Sequence, residues 1–252
     1  MSLRFHEIAE SYHKILNPFS DEQLMLVGEI CRLKSGMRML DLACGKGEML
    51  ARWSLKHGIF GIGVDISQVF LDAANARAKE VGVEQRITFT KDEAGKYLKE
   101  TTETNFDIVS CIGATWIGDG LLGTCELMKP LVKPDGLLLI GEPFWQEPPP
   151  AAAYEAMGIK EDEFISLAGT LDRFESAGLE LVEMVLANHD GWDRYEAPQW
   201  QAVDDYLRAN PTDPEVNELY AWMDKNRRAY LRYGRRYFGW GVFVLRLSNP
   251  QK

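Results

Sequence analysis

The sequence predicts an α/β domain with a mainly parallel sheet and helices on both of its faces. Between residues 37 and 141, five short apolar runs alternate with segments of helical periodicity, an order typical of successive βα units. The chain has 252 residues, of which 46% are hydrophobic, and this is enough to bury one large core. A glycine-rich turn in the first unit is where we expect the functional site.

The first βα unit contains the sequence LDLACGKG at residues 40–47. We predict a strand over 37–42, a tight turn at Gly45 and Gly47, and a helix over 48–55. A glycine takes positive φ easily and lets the backbone approach a ligand closely. The turn therefore suits a nucleoside.

The second strand, predicted over 59–64, ends at Asp65. A carboxylate at a strand tip can accept hydrogen bonds from both hydroxyls of a ribose, and a glycine turn followed by such an acid is typical of nucleoside-binding βαβ units. Leu50 stands where a dinucleotide site would have its third glycine, and the Gly-Lys-Ser/Thr ending of a phosphate-binding loop is absent. Asp41 would repel a pyrophosphate and attract an amino group.

These motifs resemble those of the class I S-adenosylmethionine-dependent methyltransferases over residues 37–141. Residues 40–47 resemble the first motif of that family, with Ala43 where glycine is usual, and Asp65 resembles the second. The resemblance implies a Rossmann-like, doubly wound sheet of seven strands whose last strand is antiparallel. It also implies S-adenosyl-L-methionine as cofactor and methyl transfer to oxygen, nitrogen or carbon of a small molecule. The cofactor contacts that we expect are Asp41, Ala43, Gly45, Gly47, Asp65, Ile66, Asp92, Glu93 and Cys111.

The third to fifth strands follow in order. Ser67 is the predicted N-cap of the next helix, and a strand over 86–91 delivers Asp92, which the resemblance assigns to the adenine amino group. Strands over 106–112 and 137–141 follow, the latter after a predicted turn at 133–136.

The segments outside these units are predicted to cover the site. Helices over 3–16 and 20–32 precede the core, and in the resembling family such segments form a lid, here residues 1–35, with Tyr12, His13 and Asn17 at the substrate mouth. The main domain is expected over 36–252, with a cap insertion at about 188–236. Beyond residue 141 we predict further elements: a helix over 167–178, a strand over 179–186, a loop over 188–195, helices over 200–208 and 215–233, and a last strand over 240–247.

Two residues are candidates for a general base, which methyl transfer needs where the acceptor must lose a proton. Glu142 follows the fifth strand and His189 follows the sixth, and each could equally be structural. Four aromatic residues are predicted in loops at the same sheet edge, where they could hold the sulfonium or an amine, or line a site for a flat neutral acceptor. These are Trp116, Trp145, Trp192 and Tyr195.

Composition narrows the classes of function. A net charge of −10 argues against a broad nucleic-acid surface, and the loop motifs of amino-group and cytosine methylases of DNA are absent. No apolar run approaches the ~18 residues of a membrane span, so we expect a cytoplasmic protein with free cysteines and no metal site. The open alternatives are an adenosyl-binding module without turnover and, less favoured, a nicotinamide-dependent dehydrogenase.

Overall fold

The computed structural model describes residues 2–248, and the strands within them form one seven-stranded sheet. The ends of the predicted lid and main domain, Met1 and residues 249–252, lie outside this range. The strands are β1 Arg38–Leu42, β2 Phe60–Asp65, β3 Ile87–Lys91, β4 Phe106–Ile112, β5 Val132–Trp145, β6 Leu179–Leu186 and β7 Phe238–Leu247. Their order is β3-β2-β1-β4-β5-β7-β6. Only β7 runs antiparallel to its neighbours, which confirms the predicted topology.

Helices lie on both faces of this sheet. They are α1 Leu3–Ala9, α2 Asp21–Ile30, α3 Glu48–His57, α4 Gln68–Glu80, α5 Ala94–Glu100, α6 Leu121–Met128, α7 Ala151–Met157, α8 Leu167–Ser176, α9 His189–Ala209, α10 Val216–Ala229 and α11 Arg235–Tyr237. Short 3-10 turns cover Glu10–Tyr12, Thr115–Gly118 and Lys129–Leu131, and a π turn covers Tyr230–Gly234. Ser20 and Ser67 cap α2 and α4 as predicted. Within residues 2–248 no helix is both long and apolar enough to cross a membrane.

The sheet separates two apolar clusters because successive residues of a strand point to opposite faces. Leu139 belongs to the cluster around Trp53, whereas Leu138 belongs to the cluster around Phe106 and Phe174. All five of these side chains are at most 1% exposed, and burying each contributes roughly 1.5 to 3 kcal/mol. The sheet is therefore held rigidly on both sides, as a site at its edge requires.

A third apolar cluster joins the N-terminal helix to the insertion before β7. Phe5 and Ala9 of α1 pack with Val203 of α9 and with Leu219 and Met223 of α10. The N-terminal helix and the insertion before β7 thus pack together, although they are distant in sequence.

The first helix is shorter than predicted. The sequence predicts helix over 3–16, but α1 and its 3-10 turn end at Tyr12. Lys46 Nζ donates to the carbonyl oxygens of Glu10 and His13, both at 2.7 Å, and to that of Ser11 at 3.3 Å. The helix ends here because the ammonium group of Lys46 donates to carbonyl oxygens that backbone N–H groups would bind in a continuing helix.

Three predicted connections are wrong. Residues 133–136 are not a free turn but a bulge in β5, because Val132 pairs with Phe106 and Leu137 already pairs with Ile108. Strand β5 continues past residue 141 to Trp145 because β7 pairs with it along that length. Residues 188–195, predicted as a loop, begin α9, whose N-cap Asn188 accepts a hydrogen bond from the Gly191 N–H at 2.8 Å.

Candidate functional site

A cavity of about 700 Å³ lies at the carboxyl ends of β1, β2 and β4. This is the edge at which ligands of open α/β sheets bind. One wall comes from the glycine turn after β1 and the ends of β2 and β4, and the other from the N-terminal segment, α9 and β7. The two walls are held together by Lys46, which lies in the glycine turn and bonds to the N-terminal segment.

The glycine turn has the left-handed backbone that its sequence predicts. Ala43, Gly45 and Gly47 have φ values of 54°, 54° and 66°. An alanine in this region costs roughly 1 to 2 kcal/mol, so the surrounding structure imposes the turn. At Gly45 a Cβ would lie 2.6 Å from Leu16, and at Gly113, after β4, 2.8 Å from Asn17 Oδ1. A side chain at either position would therefore press against the N-terminal segment that faces the sheet-edge wall.

Asp65 stands at the centre of the sheet-edge wall. Its Oδ2 accepts a hydrogen bond from the Gly45 N–H and its Oδ1 one from the Ser67 N–H, both at 2.8 Å. Burial raises the pKa of Asp65, although these two N–H groups oppose the shift. One carboxylate thus joins the glycine turn to the start of α4 while lining the cavity.

Asp41 lies deeper in the same wall, 3% exposed. Ser110 Oγ donates to its Oδ1 at 2.6 Å. Burial raises the pKa of Asp41 to about 7, against the effect of this hydrogen bond. A positively charged neighbour would stabilise the ionised form of a carboxyl group whose pKa is raised by burial. This agrees with the prediction that an amino group suits this end of the cavity.

The nine predicted cofactor residues do not all reach the cavity. Those that line it are Asp41, Ala43, Gly45, Asp65 and Ile66. Gly47 shapes the turn behind them. Cys111 is buried in the apolar cluster around Phe106 and Phe174, on the other face of the sheet from Trp53. Asp92 bonds through its N–H to the Asp65 carbonyl at 3.1 Å, but its carboxylate bonds to Lys96 and to the N–H of Glu93, and neither acid lines the cavity.

Neither predicted general base faces the cavity. Gly141 and Pro143 pair with Val242 and Trp240, two β7 side chains that line the cavity. Glu142, between them on β5, therefore points to the opposite face, where its Oε2 accepts a hydrogen bond from Thr115 Oγ1 at 2.6 Å. His189 is exposed at the start of α9 and does not line the cavity either.

Glu142 gives a pH-dependent prediction. Burial raises its pKa from 4.5 to about 7, so between these pH values the folded protein holds a proton that the unfolded chain releases. Stability from this group therefore falls as pH rises through that window. Relative to Glu142→Gln, we expect the wild-type free energy of unfolding to fall by roughly 2 to 3 kcal/mol between pH 5 and pH 8. Urea unfolding of both proteins measures this, and parallel pH curves would contradict it.

Of the five aromatic residues predicted to bind the substrate, two line the cavity and three do not. Trp116, 72% exposed at the rim, and Tyr195 line the cavity. Tyr12 donates to Asp205 at 2.8 Å and lines only an adjoining hollow of about 200 Å³. Trp145 and Trp192 are buried and pack against Phe238, at 5.0 and 5.8 Å between ring centroids. The prediction placed these two in loops, whereas they end a strand and begin a helix.

Sequence reasoning missed several residues of the cavity. Glu10, Lys46, Gln199 and Trp240 all line it. Glu10 is 1% exposed, and its Oε2 lies 2.8 Å from Nδ1 of His13. An acid in a short amphipathic helix carries no periodic signal that separates it from a surface acid. Within residues 2–248 no group of three or more His, Cys, Asp or Glu side chains could hold a metal ion.

The geometry fits the adenosyl amino acid that the sequence motifs imply. Asp65 offers acceptor capacity beside bare glycine backbone, and Asp41 offers a negative group at the other end. Ile66 and Trp116 are exposed apolar groups beside Asp65 and at the rim, suited to a flat base.

Comparison with known proteins gives consistent matches. A family model described as "Methyltransferase domain" matches residues 33–204. The uncharacterized protein YjhP of Escherichia coli (strain K12) is 41% identical over 244 residues, 96% of this chain and 97% of that protein. The 27-O-demethylrifamycin SV methyltransferase of Amycolatopsis mediterranei (strain S699) is 23% identical over 173 residues, 67% of this chain and 61% of that enzyme.

A solved structure resembles the whole chain. The crystal structure of a SAM-dependent methyltransferase from Geobacter sulfurreducens, in complex with S-adenosyl-L-homocysteine, has a TM-score of 0.92 and 42% sequence identity. The match covers 97% of this chain and 98% of that one.

Proposed function

Because this chain belongs to the S-adenosylmethionine-dependent methyltransferase family, we propose that it methylates a small molecule bound between the glycine turn and α9. The observation that carries the proposal is the cavity of about 700 Å³ at the sheet edge, a size typical of small-molecule sites. Its two walls differ in chemistry. The sheet-edge wall carries the groups suited to an adenosyl cofactor, and the opposite wall carries the residues that would contact the methyl acceptor.

The sheet-edge wall would hold S-adenosyl-L-methionine. Asp65 takes the ribose hydroxyls, the turn at Gly45 accommodates the amino acid end, and Asp41 favours its amino group. Ile66 and Trp116 enclose the base, and the turn of Asp92 and Glu93 lies next to Asp65 through the backbone bond at 3.1 Å. When bound, this cofactor supplies a methyl group on a positively charged sulfur, which a nucleophile displaces in line.

The residues of the chain contribute alignment and exclusion of water, which suffice for much of the barrier reduction in such a transfer. The N-terminal segment, held by Lys46, covers the cavity as a lid, and the insertion at about 188–236 contributes α9 as a cap. Phe19, Trp240 and Val242 give the acceptor side an apolar surface.

A small acceptor is preferred over a polymer for two reasons. A net charge of −10 disfavours the phosphate backbone of a nucleic acid. Residues of the N-terminal segment and of α9 also line the cavity opposite the sheet edge, which leaves less room for a polymer. The name of the Amycolatopsis relative, a methyltransferase of 27-O-demethylrifamycin SV, supports an acceptor of this class.

The proposal is tested by methyl transfer itself. The purified protein is incubated with S-adenosyl-L-methionine carrying an isotopically labelled methyl group and with fractionated small-molecule extracts. Mass spectrometry should then find a compound that gains one labelled methyl group only when the protein is present. If the protein binds S-adenosyl-L-homocysteine but no fraction gains the label, the adenosyl-binding module without turnover is the better description.

A further inference from the structure

Apolar side chains line the part of the cavity next to the cluster around Trp53. They come from the N-terminal segment, α2, α3, β4 and β7, and they are Phe19, Leu24, Val27, Met49, Ile112, Trp240 and Val242. The rings of Phe19 and Trp240 meet edge-on, with 4.9 Å between their centroids. A molecule in this part of the cavity therefore gains by burying hydrocarbon or aromatic surface.

The charged groups on the wall opposite the sheet edge are already paired within the protein. Oε2 of Glu10 lies 2.8 Å from Nδ1 of His13. Lys46 gives its ammonium group to the three backbone carbonyls of residues 10, 11 and 13. Lys14 is exposed at the edge of the cavity, and no arginine among the described residues lines it. This wall therefore offers a buried ligand no uncompensated charge.

The other acids of the cavity are also occupied or lie on the sheet-edge wall. Glu48 accepts hydrogen bonds from two arginine side chains, at 2.6 and 2.8 Å. Asp41 and Asp65 belong to the wall that the proposed function gives to the cofactor. His6 packs edge-on against Phe70 of α4, with 5.3 Å between ring centroids. A charged acceptor would lose its hydration among the apolar side chains without meeting an opposite charge, which is costly.

Uncharged polar side chains remain on α9. Tyr195 and Gln199 line the cavity one helical turn apart, and Tyr195 packs against the cluster around Trp53. The Tyr195 hydroxyl interacts with the Glu10 carboxylate and with the Gln199 side chain. These contacts leave hydrogen-bonding capacity, because a hydroxyl oxygen has two lone pairs and an amide has two N–H donors and an acceptor oxygen. The pair suits an uncharged group that both donates and accepts.

Resting on the proposed function, we propose that the methyl acceptor is an uncharged, mainly apolar molecule whose hydroxyl group binds Tyr195 and Gln199. Its apolar frame then lies on Phe19 and Trp240, next to the hydroxyl site. Charged compounds of the same shape are rejected because the charges of Glu10 and Lys46 are satisfied inside the protein.

Calorimetry on the complex with S-adenosyl-L-homocysteine provides the test. The probes are 2-naphthol, 2-naphthoate and 2-naphthylmethylammonium, which share one aromatic frame and are neutral, anionic and cationic at about pH 7. We expect 2-naphthol to bind at least about tenfold more tightly than either ion, because only the ions must bury an unpaired charge.

Variants of α9 test the hydroxyl site. Gln199→Leu and Tyr195→Phe should each weaken 2-naphthol by about fivefold, the size of one hydrogen bond between uncharged groups. Their affinity for S-adenosyl-L-homocysteine should change by less than about threefold, which also shows that they fold. Gln201, exposed on the same helix, gives the matched control Gln201→Leu, which should bind 2-naphthol as the wild type does.

Several outcomes would overturn the proposal. Binding of either ion as tight as that of 2-naphthol would show that the cavity does recognise charge, and a preference for 2-naphthoate would point to Lys14. No measurable binding of 2-naphthol would exclude an acceptor of this class. Unchanged 2-naphthol affinity in both Gln199→Leu and Tyr195→Phe would remove the hydroxyl site. If wild-type protein fails to bind S-adenosyl-L-homocysteine, the proposed function itself fails.

Discussion

Asp65→Ala is expected to abolish measurable binding of S-adenosyl-L-homocysteine, with a loss of at least about 100-fold in affinity. The residue has two tasks. In the proposed function it would offer a carboxylate to the ribose, and in the structure it accepts hydrogen bonds from the N–H groups of Gly45 and Ser67 at 2.8 Å. Its removal takes away charge-assisted hydrogen bonds to the ligand and leaves two buried donors of the turn unpaired.

Calorimetric titration of the variant measures this loss. Asp72→Ala is the matched control, because Asp72 is an exposed acid on the helix that follows and accepts a hydrogen bond from the Gln68 side chain. Asp72→Ala should bind as the wild type does. Binding by Asp65→Ala within about threefold of wild type would contradict the assignment of this carboxylate to the ribose.

Gly47→Ala is expected to destabilise the protein by about 3 kcal/mol, the sum of a left-handed backbone cost and an overpacking cost. Gly47 has φ +66°, and a Cβ there would lie 2.5 Å from Phe89 Cζ and 2.9 Å from Ala74 Cβ. Both neighbours lie in the layer beneath the turn, so the turn itself must shift. We also expect the affinity for S-adenosyl-L-homocysteine to fall in the protein that remains folded.

Gly82→Ala separates the two costs. Gly82 has a similar φ of +73°, but nothing lies within 4 Å of the added Cβ, so only the backbone cost of roughly 1 to 2 kcal/mol applies. Urea unfolding of the two variants should differ accordingly, and only Gly47→Ala should affect ligand binding. Equal losses of stability in the two variants would show that the close packing under the turn is unimportant.

The sheet and the glycine turn beside Asp65 could be predicted from sequence because their signals are local. The turn at Gly45 and Gly47, the acid at Asp65 and the caps at Ser20 and Ser67 each depend on a few consecutive residues. The resemblance to a known family implies the doubly wound sheet of seven strands with an antiparallel last strand, which the local signals do not contain.

The face of Glu142 could not be predicted because β5 is buried on both faces. In such a strand the apolar pattern does not alternate, so the sequence does not say which residues point to the cavity. The pairing with β7 decides it, and β7 is separated from β5 by the whole insertion.

The wall of the cavity opposite the sheet edge depends on contacts between segments that are distant in sequence. Glu10 meets Tyr195 and Gln199 only because α1 packs against α9 through Phe5 and Val203. The sequence around Trp192 predicts a loop because the first turns of α9 carry polar residues and Gly191. No pattern of neighbouring residues in the sequence predicts these contacts.

A crystal structure of the protein with S-adenosyl-L-homocysteine tests most directly whether the glycine turn and Asp65 hold one adenosyl amino acid. The ribose hydroxyls are expected within hydrogen-bonding distance of the Asp65 carboxylate, at about 2.6 to 3.2 Å, with the amino acid end against Gly45. A ligand that lies elsewhere on the protein, or whose ribose does not contact Asp65, would contradict the site.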